Sequence, residues 1–296
     1  MSTSYLYRYW FVTFSILYPT KFSELNKFLI KIFAIIFKII IMHFWGNGRI
    51  MFPLKTNIPV NRFPYGVWLI IITNIVIYIY FRINFHGLLF ADHGFMPLKM
   101  AMPSEIVSTG EKMSSFVTYM FLHSSSLHVA LNMYFLYVFG KNVEDYIGTV
   151  KFLCMYIIIG VLAVIIEAFM MPDLEYPIVG SSGAVAGIMG MFIVFFPFSK
   201  IKTFIFLLIY AIIRNIPSVI IILLFITFQL LLWYCEQFFN INEYLRSFQE
   251  SIGIKGRYLN ISNVAYWTHI GGFLTGVMLG IILKTVKIIR QRKNNA

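Results

Sequence analysis

Long apolar segments are the feature that most constrains the fold of this chain. Of its 296 residues, 59% are hydrophobic and 12% are charged, whereas about 25% of the residues in an ordinary soluble domain are charged. Several apolar runs approach the ~20 residues that a helix needs to cross a bilayer. The sequence therefore predicts an all-α, polytopic membrane protein.

Six of these runs are predicted to cross the membrane and to form a core over residues 67–283. In chain order they comprise residues 67–81, 126–143, 152–171, 182–196, 216–235 and 264–283. The second begins near Ser126 because the serines before it are favourable helix caps. Residues 201–213 are also apolar, but basic residues accompany them. We interpret that segment as a re-entrant or interfacial piece.

The basic residues predict the orientation of the six helices. With the N-terminus inside, the inner side holds 18 of the 24 Lys and Arg residues, in residues 1–66, 140–151, 199–215 and 284–296. Cytoplasmic loops of membrane proteins carry such an excess. Both termini are therefore predicted to be cytoplasmic, with residues 284–296 as a basic tail. The net charge of +12 is thus ascribed to topology, and no nucleic-acid partner is predicted.

Residues 1–50 are predicted to form an extension outside the core. Lys27, Lys31 and Lys38 share one helical face, which favours an amphipathic helix on an anionic membrane surface. An additional span is the alternative. Residues 51–66 are predicted to be a cytosolic linker, in which Met51 is a candidate alternative translation start. No cleavable secretory signal is expected, because the first apolar run contains Arg8 and lacks a small-residue cleavage site.

The two cysteines indicate no metal or redox chemistry. Cys154 and Cys235 both lie in apolar runs and lack the spacing of metal ligands. We expect them to be buried as small hydrophobic residues.

Polar residues within the predicted spans are the candidates for function. The sequence Gly-Ser-Ser-Gly at residues 180–183 opens the fourth span, and the topology places Ser182 at its outer end. His269 lies about two turns into the sixth span. His128 and Asn132 share one face of the second span at similar depth. Ionisable groups at such depth are costly and are usually functional.

Glycines give the fourth and sixth spans a means of close approach. Small residues at helical spacing allow two membrane helices to pack backbone to backbone. The small residues in question are Gly183 and Gly187 in the fourth span and Gly272 and Gly276 in the sixth. Such packing is what a serine hydroxyl on one helix needs to reach a histidine on the other.

These residue types suit acyl transfer. A serine becomes nucleophilic when a base takes its proton, and histidine is neutral enough near pH 7 to do so. No carboxylate is evident beside His269, so the sequence predicts a Ser182–His269 dyad. The candidate oxyanion donors are the Asn132 amide, His128 and the Ser182 backbone N–H. Each residue also has a simpler interpretation: Ser182 as a helix cap, and the others as packing or hydrogen-bonding groups.

Several motifs in order resemble the rhomboid intramembrane serine proteases. They include T-Y-M-F-L-H-S-S-S-L-H-V-A-L-N-M at the second span, V-G-S-S-G-A-V-A-G-I-M-G at the fourth and A-Y-W-T-H-I-G-G-F-L-T-G at the sixth. The resemblance covers most of residues 52–283. It implies a serine endopeptidase that cleaves peptide bonds in or near the transmembrane segments of membrane proteins, within the lipid bilayer and with no metal or cofactor.

The resemblance also implies roles for individual residues. Ser182 is expected to be the nucleophile and His269 the base, with His128 and Asn132 on the oxyanion side. The chain departs from the family at residues 114–115, where many relatives have Trp-Arg, and in an insertion at residues 237–263. The pattern resembles bacterial members most, so a bacterial inner membrane is expected, with a eukaryotic organelle as the alternative.

Two other classes of function are considered beside the protease. A catalytically inactive relative would bind membrane proteins without cutting them, and retention of both Ser182 and His269 argues against it. A transporter or channel would show an inverted repeat or broken helices around a central site. The sequence shows no such repeat.

Overall fold

The computed structural model describes residues 50–84, 93–207, 210–239 and 264–295, and these are mostly helical. They fall into two compact units. One contains the described residues up to Asn57 together with Lys200–Pro217, and the other contains the described parts of Ile58–Ser199 and Ser218–Ala296. Residues 1–49 of the predicted extension and 240–263 of the predicted insertion lie outside the described residues.

The first unit contains a three-stranded antiparallel sheet. Its strands are β1 (Ile50–Thr56), β2 (Lys200–Leu207) and β3 (Tyr210–Pro217). The order is β1-β2-β3, with an irregularity in the pairing of β1 between Pro53 and Lys55. Proline has no N–H to donate, which suits it to an edge strand such as this one.

This sheet corrects the expectation of an all-α fold. Residues 201–207 and 210–213, predicted to be a re-entrant or interfacial piece, lie in the antiparallel strands β2 and β3, so the described residues are mostly rather than entirely helical. Within β2, Ile201 and Thr203 are buried while Lys202 is exposed, which is the alternation typical of a strand with one covered face. The strand β1 occupies part of the segment predicted to be a linker.

The second unit is helical. Its helices are α1 (Tyr65–Asn84), α2 (Pro97–Ala101), α3 (Thr109–Thr118), α4 (Ser126–Phe135), α5 (Lys141–Ile147), α6 (Thr149–Met170), α7 (Ser182–Phe195), α8 (Ser218–Phe239) and α9 (Tyr266–Asn294). A π-helical segment, Leu136–Gly140, joins α4 to α5 without a break. The continuous stretch from Ser126 covers the whole predicted second span.

Membrane insertion is supported by the length and composition of the helices. Among the described residues, α1, α6 and α9 are long and apolar enough to cross a bilayer. The helix α7 and residues Ser218–Tyr234 of α8 are shorter apolar helices. The chain is thus a membrane protein, while the count of six spans and the position of the termini stay predictions.

Helix α7 lies at the centre of the helical unit. All ten residues from Gly183 to Phe192 are buried, and α7 packs chiefly against α9 and also against α6. A helix that is buried on every side must be apolar all round and narrow where its neighbours are close. The glycines and alanines at the start of α7 meet both conditions.

Two carboxylates fix the beginning of α1. The buried Glu144 accepts hydrogen bonds from the backbone N–H groups of Gly66 and Val67, both at 2.8 Å, and from the Thr149 hydroxyl at 2.6 Å. The neighbouring Asp145 accepts from the Arg62 backbone N–H at 3.0 Å. An anion at the first turn satisfies otherwise unpaired donors and complements the helix dipole.

Exposure of Cys154 corrects another expectation. It lies on the exposed surface of α6 rather than in the core, where an apolar thiol in a membrane helix can contact lipid. The side chain of Cys235 lies outside the described residues.

Candidate active site

The turn before α7 places Ser182 at the first position of that helix. Gly180 has φ of +117°, a conformation that glycine adopts without strain, and its N–H donates to the Tyr119 carbonyl at 2.9 Å. Ser181 is the N-cap residue of α7 and makes no side-chain capping bond within the described chain. Ser182 is therefore not the cap that the simpler interpretation suggested.

The Ser182 hydroxyl is hydrogen-bonded to a histidine on another helix. Its Oγ lies 2.6 Å from His269 Nε2 on α9. The other ring nitrogen, Nδ1, lies 2.9 Å from Oε1 of Gln229 on α8. Three helices thus converge on one imidazole, with its two nitrogens bonded in opposite directions. A serine within hydrogen-bond reach of a base that a third group orients is the arrangement of an activated nucleophile.

Glycine contacts between α7 and α9 make this convergence possible. A Cβ built on Gly272 or Gly276 would overlap the backbone carbonyl of Gly183 or Gly187, respectively. A Cβ on Gly187 would lie 2.7 Å from the Gly272 carbonyl oxygen. The backbones of the two helices therefore touch with no room for a side chain.

His128 and Asn132 of α4 lie against the turn that precedes Ser182. A Cβ on Gly180 would come within 2.7 Å of His128 Nε2 and 3.6 Å of Asn132 Nδ2. Asn132 is 7% exposed, and its Nδ2 has no hydrogen-bond partner among the described residues. A buried donor without a partner is unusual in a folded protein. It is available to an acceptor that enters beside Gly180.

His128 is held with its Nε2 toward the same turn. Its Nδ1 lies 3.1 Å from the Ser124 hydroxyl, and its backbone N–H donates to the Ser125 hydroxyl at 3.1 Å. The ring of His123 packs edge-on against that of His128, with centroids 5.1 Å apart. Burial, and to a smaller extent the neighbouring His128, lowers the pKa of His123 to about 3. His123 is thus neutral at physiological pH.

Glu167 of α6 fixes the beginning of α9. Its carboxylate accepts from the Thr268 backbone N–H at 2.5 Å and from the Thr268 hydroxyl at 2.8 Å. The carboxylate is buried, at 3% exposure, and it binds an N–H in the first turn of the helix, where no intrahelical acceptor exists. Because Thr268 precedes His269, this contact anchors the backbone that carries the imidazole.

Gln229 was not predicted to be part of the site. A carboxylate would be the usual third group beside a histidine base, and the side chain that bonds His269 Nδ1 is an amide. The signal was nevertheless there, since Gln229 is an uncharged polar residue in the apolar run of α8 and is 7% exposed. A buried polar group in such a helix must have a partner.

Comparison with known proteins places the chain in a family. Residues 110–285 match the model of the Rhomboid domain. The chain is also 30% identical over 134 residues to rhomboid-like protein 11, chloroplastic, of Arabidopsis thaliana. That match covers 45% of this chain and 43% of the relative, so the chain spans less than half the length of the relative. Ser182, His269, His128 and Asn132 all lie within residues 110–285.

Proposed function

The chain belongs to the rhomboid family, as its motifs predicted, and from this we propose that it is a serine endopeptidase acting within the membrane. The observation that carries the proposal is the 2.6 Å hydrogen bond between Ser182 Oγ and His269 Nε2. A hydroxyl is a weak nucleophile unless a base is placed to take its proton.

In the proposed reaction, Ser182 Oγ attacks the carbonyl carbon of the scissile peptide bond while its proton passes to His269 Nε2. The tetrahedral intermediate collapses as His269 returns that proton to the leaving amine, which gives an acyl-enzyme. Water, deprotonated by His269, then attacks the ester, and His269 returns that proton to Ser182 Oγ as the carboxyl product is released. Each step uses His269 alternately as general base and general acid.

The oxyanion of the intermediate needs donors already in place. We assign this role to Asn132 Nδ2 and His128 Nε2. The support is their position against Gly180 and the absence of any partner for Asn132 Nδ2 among the described residues. A substrate carbonyl at this turn would supply the missing acceptor.

The substrates proposed are membrane proteins cut in or near a transmembrane segment, with the lipid bilayer as the medium. The support is the family together with the apolar helices that carry the site. The proposed reaction requires no metal or cofactor, because the side chains themselves supply nucleophile, base and donors.

Cleavage of a model transmembrane substrate tests this function. Purified protein in liposomes is incubated with a reporter that carries one transmembrane segment, and Ser182→Ala serves as control. We expect the wild type to release two fragments and the variant to release none. Equal cleavage by both proteins, or cleavage by neither, would contradict the proposal, and the second result would indicate an inactive family member.

The expected bacterial inner membrane receives no support from the comparison, because the printed name of the Arabidopsis relative places that protein in the chloroplast. We propose the alternative, a membrane of a eukaryotic organelle. Fluorescence microscopy of the tagged chain in cells tests this location. Fluorescence at an organelle membrane is expected, and fluorescence at the plasma membrane would contradict the proposal.

A further inference from the structure

We infer that Gln229 is the positioning residue of the dyad, and that it fixes both the tautomer and the orientation of the His269 imidazole. This inference rests on the proposed function. It is carried by the 2.9 Å contact between Gln229 Oε1 and His269 Nδ1, on the opposite side of the ring from Ser182.

The first consequence of this contact is the tautomer. An amide oxygen can only accept a hydrogen bond, so His269 Nδ1 must carry the ring proton. Nε2 is then left with a free lone pair, and it accepts from the Ser182 hydroxyl at 2.6 Å. This is the tautomer in which His269 can take the serine proton. The opposite tautomer would present an N–H to Ser182 and could not act as a base.

The second consequence is the orientation of the ring. Gln229 and Phe225 are four residues apart on α8 and so share one face. The Phe225 ring lies against the same imidazole, with centroids 6.0 Å apart. Gln229 is 7% exposed, and its contact with His269 is thereby shielded from competing water. The imidazole is thus held at one edge by an amide and packed against an aromatic ring.

An amide differs from a carboxylate in what it contributes. It carries no net charge, so it orients the imidazole without adding an opposite charge to stabilise the imidazolium form. His128 on α4 interacts electrostatically with His269. The carboxylate of Glu167 on α6 is bonded to the adjacent Thr268. Neither is bonded to His269 Nδ1.

Four proteins test the inference: wild type, Gln229→Leu, Gln229→Glu and Thr227→Leu. Thr227 lies on the same helix with an exposed side chain, so Thr227→Leu is the matched control and should behave as wild type. Steady-state cleavage of the transmembrane reporter gives kcat and KM. For Gln229→Leu we expect kcat to fall about 10- to 100-fold with KM little changed, a part of the ~10²–10⁴-fold that general-base catalysis supplies.

Gln229→Glu distinguishes orientation from packing. A carboxylate accepts from Nδ1 as the amide does, so kcat should stay within a few-fold of wild type. Its negative charge favours the protonated imidazole. The acidic limb of the profile of kcat/KM against pH should therefore move to higher pH, because His269 must lose that proton before it can act as base.

Two results would overturn the inference while leaving the protease proposal intact. One is unchanged kcat in Gln229→Leu. The other is equal loss of kcat in both Gln229 variants with no movement of the pH limb, which would assign Gln229 to packing. Failure of the protease proposal itself is recognised separately, by cleavage that does not depend on Ser182 or by a wild type that does not cleave.

Discussion

The hydroxyl of Ser182 and the imidazole of His269 belong to residues 87 positions apart, and separate contacts hold each of them. Gly180 turns the chain ahead of the serine. Glu167 anchors Thr268, the neighbour of the histidine, and Gln229 binds the far side of the ring. At the scale of single residues, the site is therefore a set of donors and acceptors held in fixed positions, between which a proton is transferred.

Removal of the unpaired amide tests the oxyanion assignment. We expect Asn132→Leu to lower kcat about 10²- to 10³-fold with a small change in KM, because the donor binds the oxyanion more strongly than the ground-state carbonyl. Leu131→Ala is the control, since Leu131 is half-exposed on the same helix. Steady-state cleavage measures both. A large rise in KM at constant kcat would assign Asn132 to substrate binding instead.

Loss of the buried carboxylate tests the anchor of α9. Glu167→Leu leaves the Thr268 N–H and hydroxyl without their acceptor. We expect the free energy of unfolding to fall by about 1–3 kcal/mol, measured by denaturant titration in detergent. Glu175→Leu, at an exposed position, should leave that free energy nearly unchanged. Equal stability of the two variants would show that Glu167 does not anchor the helix.

At the scale of elements, the pairing of α7 with α9 decides whether the site exists. Gly276→Leu places a side chain where the Gly187 carbonyl lies, so the helices must separate. We expect at least a tenfold loss of cleavage, and destabilisation of about 1–3 kcal/mol, as for overpacking. Met278→Leu, on the exposed side of α9, is the control. Normal activity in Gly276→Leu would contradict the argument from close approach.

The helices of the predicted spans could be predicted because each coincides with an apolar run of the sequence, whereas α2 and α3 do not and were not predicted. The serines before residue 126 gave the beginning of α4 as the structure has it. The strands were missed because residues 201–213 are apolar enough to resemble a membrane segment. The alternation of Ile201, Lys202 and Thr203 was the signal against that interpretation. The pairing of strand β2 with residues 50–56, which are distant from it in sequence, could not be predicted from either segment alone.

The candidate site was predictable to a smaller extent. Polar residues in apolar helices pointed to Ser182 and His269, but the partner of His269 Nδ1 depends on how α8 is placed against α9. Nothing in the local sequence gives that placement, and the group that bonds His269 is an amide rather than a carboxylate. Contacts made across helices are set by tertiary packing, which local patterns do not encode.

At the scale of the whole molecule, orientation in the membrane remains a prediction. The substitutions Ser104→Cys and Lys293→Cys are each introduced alone into a chain whose native cysteines are replaced by serine. An impermeant maleimide is then used to label each cysteine in sealed vesicles. Six spans with both termini inside put these two positions on opposite sides, so only one should react before the vesicles are opened. Equal reaction of both before opening would contradict that topology.

The most direct test of the central claim is to map the adduct of a fluorophosphonate probe by mass spectrometry. Such a probe phosphonylates a serine that a neighbouring base has activated. We predict an adduct on Ser182 and none on Ser181 in the wild type, and no adduct in His269→Ala. An unlabelled wild-type chain, or equal labelling of Ser182 in His269→Ala, would contradict the account of Ser182 as a nucleophile activated by His269.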